Sequence, residues 1–162
     1  AAACFSFSMS IEQRIAELGI TLPQPAAPVA SYVPAVEIGG LLHISGQISF
    51  AADGSLLTGR LGADRDLAFG QMAAERCALM LVAQMKKALG TLDRVERIVK
   101  LGAFVNSDPG FADQPKVANG ASDLMEKIFG DAGKHARSAV GVTVLPLNAA
   151  VEIDAIVAVR PA

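Results

Sequence analysis

Two charged residues, an arginine and a glutamate, stand beside or inside the most apolar stretches of the sequence. Side chains of these two types can bind a carboxylate ligand and transfer protons. Arg137 precedes the nearly uncharged run SAVGVTVLP, and Glu152 lies in the run AVEIDAIVAV together with Asp154. If these runs pair as a hairpin around residues 146–148, both charges lie near one end of a sheet. An arginine on a rigid strand offers a planar fork of donors that fits a carboxylate. The alternatives are an Arg137–Glu152 ion pair without a ligand and a plain solvated end of the sheet.

Metal, nucleophile and nucleotide chemistry have little support in the residue pattern. The chain's two histidines, His43 and His135, show no paired metal-ligand spacing, and there is no C-x-x-C motif. No segment has the form of a nucleophile elbow or of a phosphate- or dinucleotide-binding loop. His43 is expected to be a core or interface residue. The sequence therefore predicts a site with no metal and no cofactor.

The two cysteines indicate a protein without a disulfide framework. Cys77 lies in an apolar helical run and is expected to be an inert part of the core. Cys4 falls in residues 1–9, which lack the basic and uninterrupted apolar regions of a signal peptide and are interpreted as an upstream extension or expression remnant. A cytoplasmic location is the resulting expectation.

The composition describes one apolar, weakly charged domain. The 162 residues suffice for one core, and 52% hydrophobic against 19% charged residues excludes intrinsic disorder. Charges interrupt every apolar stretch well before the roughly 20 residues of a membrane span. A net charge of -2 without a basic cluster favours neither a nucleic acid nor an anionic membrane as a partner.

The chain divides into an N-terminal part and one domain. Ser10 and Gln13 form a capping-box pattern that predicts a short helix, and the prolines that follow indicate an extended connector. The predicted organisation is an extension at residues 1–9, the helix and proline-rich connector at residues 10–29, and a single domain at residues 30–162.

The order of elements predicted for this domain is ββαβαββ, an α+β fold with a mixed sheet covered on one face by two helices. The Gly39-Gly40 pair separates the first two strands in the manner of a tight hairpin. The other face of the sheet has no layer to cover it, which predicts association of subunits. Strands are predicted at residues 32–38, 41–50, 95–105, 138–145 and 151–160, and helices at residues 66–89 and 113–129.

Periodicity predicts which side chains of these elements are buried. For the first long helix the stripe is Leu67, Ala74, Ala78, Leu81, Met85 and Ala88, and for the second it is Val117, Ala121, Leu124 and Ile128. Alternation in the third strand puts Val95, Arg97, Val99, Leu101, Ala103 and Val105 on one face.

Four segments together resemble the Rid superfamily, the reactive intermediate deaminases also called the YjgF family. They are residues 32–47 with the sequence SGQ at its end, residues 99–106, the helix that contains Asn119, and residues 136–159. The last is the most specific, because ARSAVGVTVLPLNAAVEIDAIVAV matches the family's R-S-x-V-x-V-x-x-L-P and its following acidic strand at the family's spacing.

The resemblance implies a chorismate-mutase-like subunit in a homotrimer, where three sheets form a barrel and ligands bind in clefts between subunits. It implies that Arg137 binds a substrate carboxylate and that Glu152 positions water. Alanine stands at position 139, where the best-studied branch often has cysteine, so backbone groups would make the polar contacts there. The N-terminal helix and the stretch at residues 49–66 are typical of a longer branch. The residues expected to line the cleft are Tyr32, Ser45, Asn119 and Ala139.

The function implied is cofactor-free hydrolysis of reactive enamine or imine acids to 2-oxo acids and ammonia, with a small carboxylate as the partner. Such hydrolysis needs mainly orientation of the substrate, a water molecule and help with proton transfer. One alternative is a protein that binds 2-oxo acids without turnover. A third is an RNA-cleaving or translation-inhibiting activity, against which the acidic balance of the chain counts.

Overall fold

The computed structural model describes residues 8–29 and 31–162, where one N-terminal helix is followed by the predicted ββαβαββ order. The predictions made for Cys4 and for most of the N-terminal extension lie outside the described residues. In chain order the elements are α1 (Ile11–Glu17), β1 (Ala35–Ile38), β2 (Leu41–Ile48), α2 (Leu67–Leu89), β3 (Val95–Asn106), α3 (Gln114–Phe129), β4 (Ala136–Val142) and β5 (Val151–Val159).

Local signals set the ends of several elements. Ser10 and Gln13 form the full capping box at the start of α1, each side chain accepting from the other's backbone N–H. The turn between β1 and β2 places Gly39 and Gly40 at φ of 60° and 77°, the left-handed conformation that a type I′ hairpin requires. Asp66 caps α2 by accepting a backbone N–H from its first turn.

The five strands form one mixed sheet in the order β1-β2-β5-β3-β4, in which only β3 and β4 are parallel. The expected hairpin of β4 and β5 is wrong, because β3 lies between them and pairs with both. β5 occupies the centre of the sheet, where its alternate residues bury an apolar row against the helices. β4 remains at the edge, paired on one side only.

Helices α2 and α3 cover one face of this sheet. The predicted stripe of α3 is buried throughout, whereas in α2 the predicted Ala88 is exposed and Leu89 takes its place. Residues 77–85 of α2 are all buried, because the sheet, α3 and the N-terminal connector enclose that part of the helix. Among the described helices, including the 23-residue α2, none combines the length and hydropathy of a membrane-spanning segment.

Two irregularities in β3 overturn its predicted alternation. The pairing of β3 with β5 shifts register between Val95 and Arg97 and again between Ile98 and Lys100. Each shift adds a residue on one strand and reverses the alternation beyond it. Ile98 is therefore fully buried, while Arg97 and Val99, predicted to share a face with the residues that are buried elsewhere in β3, are exposed.

Helix α1 is attached to the domain by reciprocal caps. The backbone N–H of Ile11 donates to the Asp93 carboxylate at 3.0 Å. In the opposite direction, the backbone N–H of Leu92, at the start of a short 3₁₀ turn, donates to the Glu12 carboxylate at 2.8 Å. Each carboxylate accepts a backbone N–H that has no partner within its own helix or turn. Ile15 is the buried side chain of α1.

The opposite face of the sheet is not covered by any element of the described chain. On β5 the residues facing this side, from Glu152 to Ala158, are half-buried. Val140 of β4 is 46% exposed on the same side. This face combines apolar side chains, such as Val140 and Ile156, with the carboxylates of Glu152 and Asp154, and because no described element covers it, it is available for association with another chain.

Candidate functional site

The sequence SGQ at residues 45–47 forms a bulge in β2. Between Ile44 and Gln47, β2 gains one residue relative to β5. The hydroxyl of Ser45 donates to the carbonyl of Val33 at 2.8 Å, and the buried amide of Gln47 donates to the carbonyl of Ser45 at 2.9 Å. The Ser45 bond holds the segment before β1 against the bulge, and the Gln47 bond lies within the bulge.

Tyr32 lies next to this bulge in the segment before β1. Its side chain is 49% exposed and borders a small cleft of about 160 Å³ together with Gly46. Tyr32 is therefore free to contact a ligand or a second chain.

Two carboxylates of the central strand lie across glycines of its neighbours on the uncovered face. The Glu152 carboxylate occupies the space over Gly46 of β2, and the Asp154 carboxylate occupies the space over Gly102 of β3. A Cβ atom at either glycine would overlap the carboxylate above it. Burial raises the pKa of the Glu152 carboxyl, and the charge of Asp154 raises it further. Glu152 is thus a half-buried acid whose proton affinity exceeds that of an ordinary glutamate.

The guanidinium of Arg137 is held on the helical face by α3. Its Nη1 donates to Asn119 Oδ1 at 2.9 Å and to Ser122 Oγ at 3.0 Å, and its Nη2 donates to the carbonyl of Pro115 at 3.2 Å. Nε has no hydrogen-bond partner among the described residues and Nη2 has one, so each of these two nitrogens keeps a donor for a ligand, and side-on binding of a carboxylate uses Nε and Nη2. Within the described segments no carboxylate forms an ion pair with this guanidinium.

The six predicted site residues fall into two groups that one chain does not bring together. β2 and β4 are separated by three strand spacings, about 14 Å. The alternative of an Arg137–Glu152 ion pair does not occur among the described residues, because β3 stands between their strands and the side chains lie on opposite faces of the sheet. Tyr32, Ser45 and Glu152 form the first group, beside the bulge of β2; Asn119, Arg137 and Ala139 form the second, at the edge made by β4 and α3.

The remaining reactive residue types lie apart from both groups. Cys77 is fully buried, so its predicted core position is confirmed, and burial raises the pKa of its thiol, which supports the prediction that it is inert. His43 is exposed on the uncovered sheet face, so the expectation of a core position is wrong and that of an interface position stays a prediction. No three histidine, cysteine or acidic side chains in residues 8–29 and 31–162 are grouped so that they could hold a metal ion.

Comparison with known proteins identifies the family. The family model described as "YjgF/chorismate mutase-like, putative endoribonuclease" matches residues 12–158. The chain belongs to the YjgF family. The resemblance seen in the SGQ bulge and in the segments of Arg137 and Glu152 is thereby confirmed, as is the fold that it implied.

Relatives of this YjgF-family chain carry different names. Protein TCP17 of Trypanosoma cruzi is 53% identical over 148 residues, 91% of this chain and 92% of that protein. The 2-iminobutanoate/2-iminopropanoate deaminase of Dermatophagoides farinae is 30% identical over 142 residues, 87% of this chain and 95% of that protein. A solved structure from Shewanella oneidensis, named a "putative endoribonuclease", has a TM-score of 0.88 at 34% identity and covers 93% of this chain and 99% of its own.

Sequence reasoning did not single out Ser122 and His135 as residues of the site in this YjgF-family chain. The Ser122 hydroxyl lies 3.0 Å from Arg137 Nη1 and 2.9 Å from His135 Nε2. No repeat or motif links these positions, because they meet only when β4 packs beside α3. Their spacing of 13 and 15 residues carries no helical or strand period that would have indicated contact.

Proposed function

We propose that the protein is a cofactor-free hydrolase that converts reactive enamine or imine acids into 2-oxo acids and ammonia. The observation that carries the proposal is the Arg137 guanidinium, whose charge has no carboxylate partner in the described part of the chain and whose Nε and Nη2 edge is left available. A ligand with a carboxylate supplies the missing charge and fits that edge with two parallel hydrogen bonds. The name of the Dermatophagoides farinae relative supports an imino acid as that ligand.

Glu152 is proposed to hold and activate the attacking water. The protonated imine R–C(=NH2+)–COO− and water give R–CO–COO− and NH4+. Water adds to the imine carbon as its proton passes to the Glu152 carboxylate, and the C=N electron pair returns to nitrogen. Glu152 then returns the proton to the nitrogen, and the C–N bond breaks with its electron pair leaving on ammonia. The C=O bond of the 2-oxo acid forms as the hydroxyl proton passes to Glu152 and from there to the departing ammonia, which leaves as NH4+. A carboxylate whose pKa is raised is a better base for the first step and a ready acid for the second.

The complete site is proposed to form between copies of the chain in a homotrimer. Arg137 and Glu152 lie on opposite faces of one sheet, so a small substrate reaches both only where two chains meet. The uncovered sheet face and the exposed side chains of Tyr32 and Val140 support this arrangement. Sedimentation analysis should give about three times the chain mass, and a stable monomer would contradict the shared cleft.

Release of ammonia is the direct test of the proposed reaction. Imino acids with small, aliphatic and aromatic side chains are generated in situ by an amino acid oxidase, and the uncatalysed rate is subtracted. The protein is expected to accelerate ammonia release from at least one of them. If none responds, while calorimetry still detects binding of a 2-oxo acid, the chain is a metabolite-binding protein and the hydrolase proposal is wrong.

Substitutions of Arg137 test the clamp. Arg137→Ala removes one partner of a charge-assisted pair, which costs roughly 2–5 kcal/mol, or about 30-fold and upward in affinity for a 2-oxo acid. Arg137→Lys should also weaken binding, because an ammonium lacks the planar fork. Arg97→Ala is the matched control, since Arg97 also bonds a backbone carbonyl but lies elsewhere on the surface. Equal affinity in wild type and in a folded Arg137→Ala protein would refute the clamp.

A further inference from the structure

The neighbours of Arg137 form a chain of hydrogen bonds that has one consistent direction. His135 Nδ1 lies 2.6 Å from the carbonyl oxygen of Gly133, which accepts only, so Nδ1 carries the proton. When Nδ1 alone carries a proton, Nε2 is an acceptor, and the Ser122 hydroxyl donates to it across the 2.9 Å separation. The Ser122 oxygen is left with its lone pairs toward Arg137 Nη1, which donates to it at 3.0 Å.

From this geometry we infer that Ser122 and His135 are positioning residues that set the orientation of the Arg137 guanidinium for a ligand carboxylate, an inference that rests on the proposed function. A serine hydroxyl inside a helix otherwise turns back to a carbonyl of the preceding turn. His135 draws the Ser122 proton away from that alternative and from the guanidinium. With Asn119, the serine then engages Nη1, and the Nε and Nη2 edge stays available.

The three residues of this hydrogen-bond chain lie on neighbouring elements. Ser122 lies on α3, His135 directly precedes β4, and Arg137 is the second residue of that strand. The bond of His135 to Gly133 ties the ring to the short 3₁₀ turn that links α3 to β4. The position of the guanidinium is thereby set by β4, which carries Arg137, and by α3, which supplies its hydrogen-bond partners.

Paired substitutions distinguish a positioning role from a purely structural one. Ser122→Ala removes the hydroxyl, and His135→Leu removes the acceptor. Each is expected to raise the KM for the imino acid and the dissociation constant of pyruvate about 3- to 10-fold, because one hydrogen bond is lost. The kcat for ammonia release should change little. Ser122→Thr and His135→Gln keep a hydroxyl and an acceptor, and each is expected to restore affinity to within about 2-fold of wild type. Lower melting temperatures with unchanged affinity in the first pair would overturn the inference.

The tautomer of His135 gives a readout that does not depend on turnover. The chain has two histidines, so ¹⁵N NMR of the histidine-labelled protein carries few ring signals, and His135→Gln assigns them. We expect His135 protonated at Nδ1 alone and its Nε2 signal shifted in Ser122→Ala. A ring protonated at Nε2 alone would refute the hydrogen-bond chain. If wild type binds no 2-oxo acid, the proposed function fails; if wild type binds and the Ser122 and His135 variants match it, this inference alone fails.

Discussion

Gly46 is the residue whose replacement tests most sharply whether the position of Glu152 matters for turnover. Position 46 has no left-handed φ that requires glycine, so its small size is what the site uses. In Gly46→Ala the new Cβ would overlap the Glu152 carboxylate and come 2.9 Å from Glu152 Cδ. Unstrained carbon atoms stay about 3.5 Å or more apart, so the carboxylate has to retreat by at least about 0.6 Å from its 2.9 Å approach.

A displacement of this size has a large kinetic effect if Glu152 handles the attacking water. A misplacement of about 1 Å in a catalytic arrangement costs on the order of 100-fold in rate. We therefore expect Gly46→Ala to lower kcat for ammonia release by about 10- to 100-fold, or about 1.4 to 2.7 kcal/mol in activation free energy. Affinity for a 2-oxo acid should change little, because Arg137 and its partners on α3 are untouched.

Two other glycine substitutions separate this effect from the general effect of adding a methyl group. Gly102→Ala produces the same kind of overlap on the neighbouring strand, but with Asp154, and should lose far less turnover. At Gly110 the added Cβ meets only Asp108, at an ordinary 3.6 Å, and activity should equal that of wild type. Wild-type kcat in a folded Gly46→Ala protein of unchanged assembly would refute the role given to Glu152.

Three further outcomes follow from burial and packing. Because the pKa of Glu152 is raised in the folded state, the stability that this group contributes is present below the ordinary glutamate pKa and is lost as pH rises through the raised value. Glu152→Gln removes this loss, so thermal melts should show the variant more stable than wild type near neutral pH. The difference in stability should vanish below about pH 4. Thiol reagents should leave turnover unchanged and should modify Cys77, as followed by peptide mapping, only after unfolding, and modification in the folded protein would contradict its burial. A Cβ on Gly120 of α3 would overlap a backbone carbonyl of α2, so Gly120→Ala should destabilise the protein by about 1–3 kcal/mol in denaturant titrations, whereas Gly70→Ala, which meets only side-chain ends, should cost less.

The elements of this fold could be predicted where a few neighbouring residues decide them. The glycine pair at residues 39–40 and the capping box at Ser10 act within one turn of the chain, and each lies where the sequence predicted it. The order of elements and the stripe of α3 follow from periodicity of the same short range.

Features that depend on distant pairing could not be predicted in this way. The insertion of β3 between β4 and β5 is a property of the whole sheet, and alternation of residues in β3 does not reveal the bulges that bury Ile98. In the candidate site, Arg137 and Glu152 were found through their unusual apolar surroundings and a family resemblance. Ser122 and His135 have no such mark, because their significance lies in hydrogen bonds across elements.

The placement of Arg137 and Glu152 on opposite faces of the sheet has a genetic consequence. Each chain of the proposed trimer would supply its arginine to one cleft and its glutamate to another. Two inactive chains, one with Arg137→Ala and the other with Glu152→Gln, would then complement each other, because every mixed ring of three contains one cleft built from both intact residues. A cell expressing both defective chains would recover part of the activity that it lacks with either chain alone, whereas chains that carry both substitutions would only dilute the clefts of their intact neighbours.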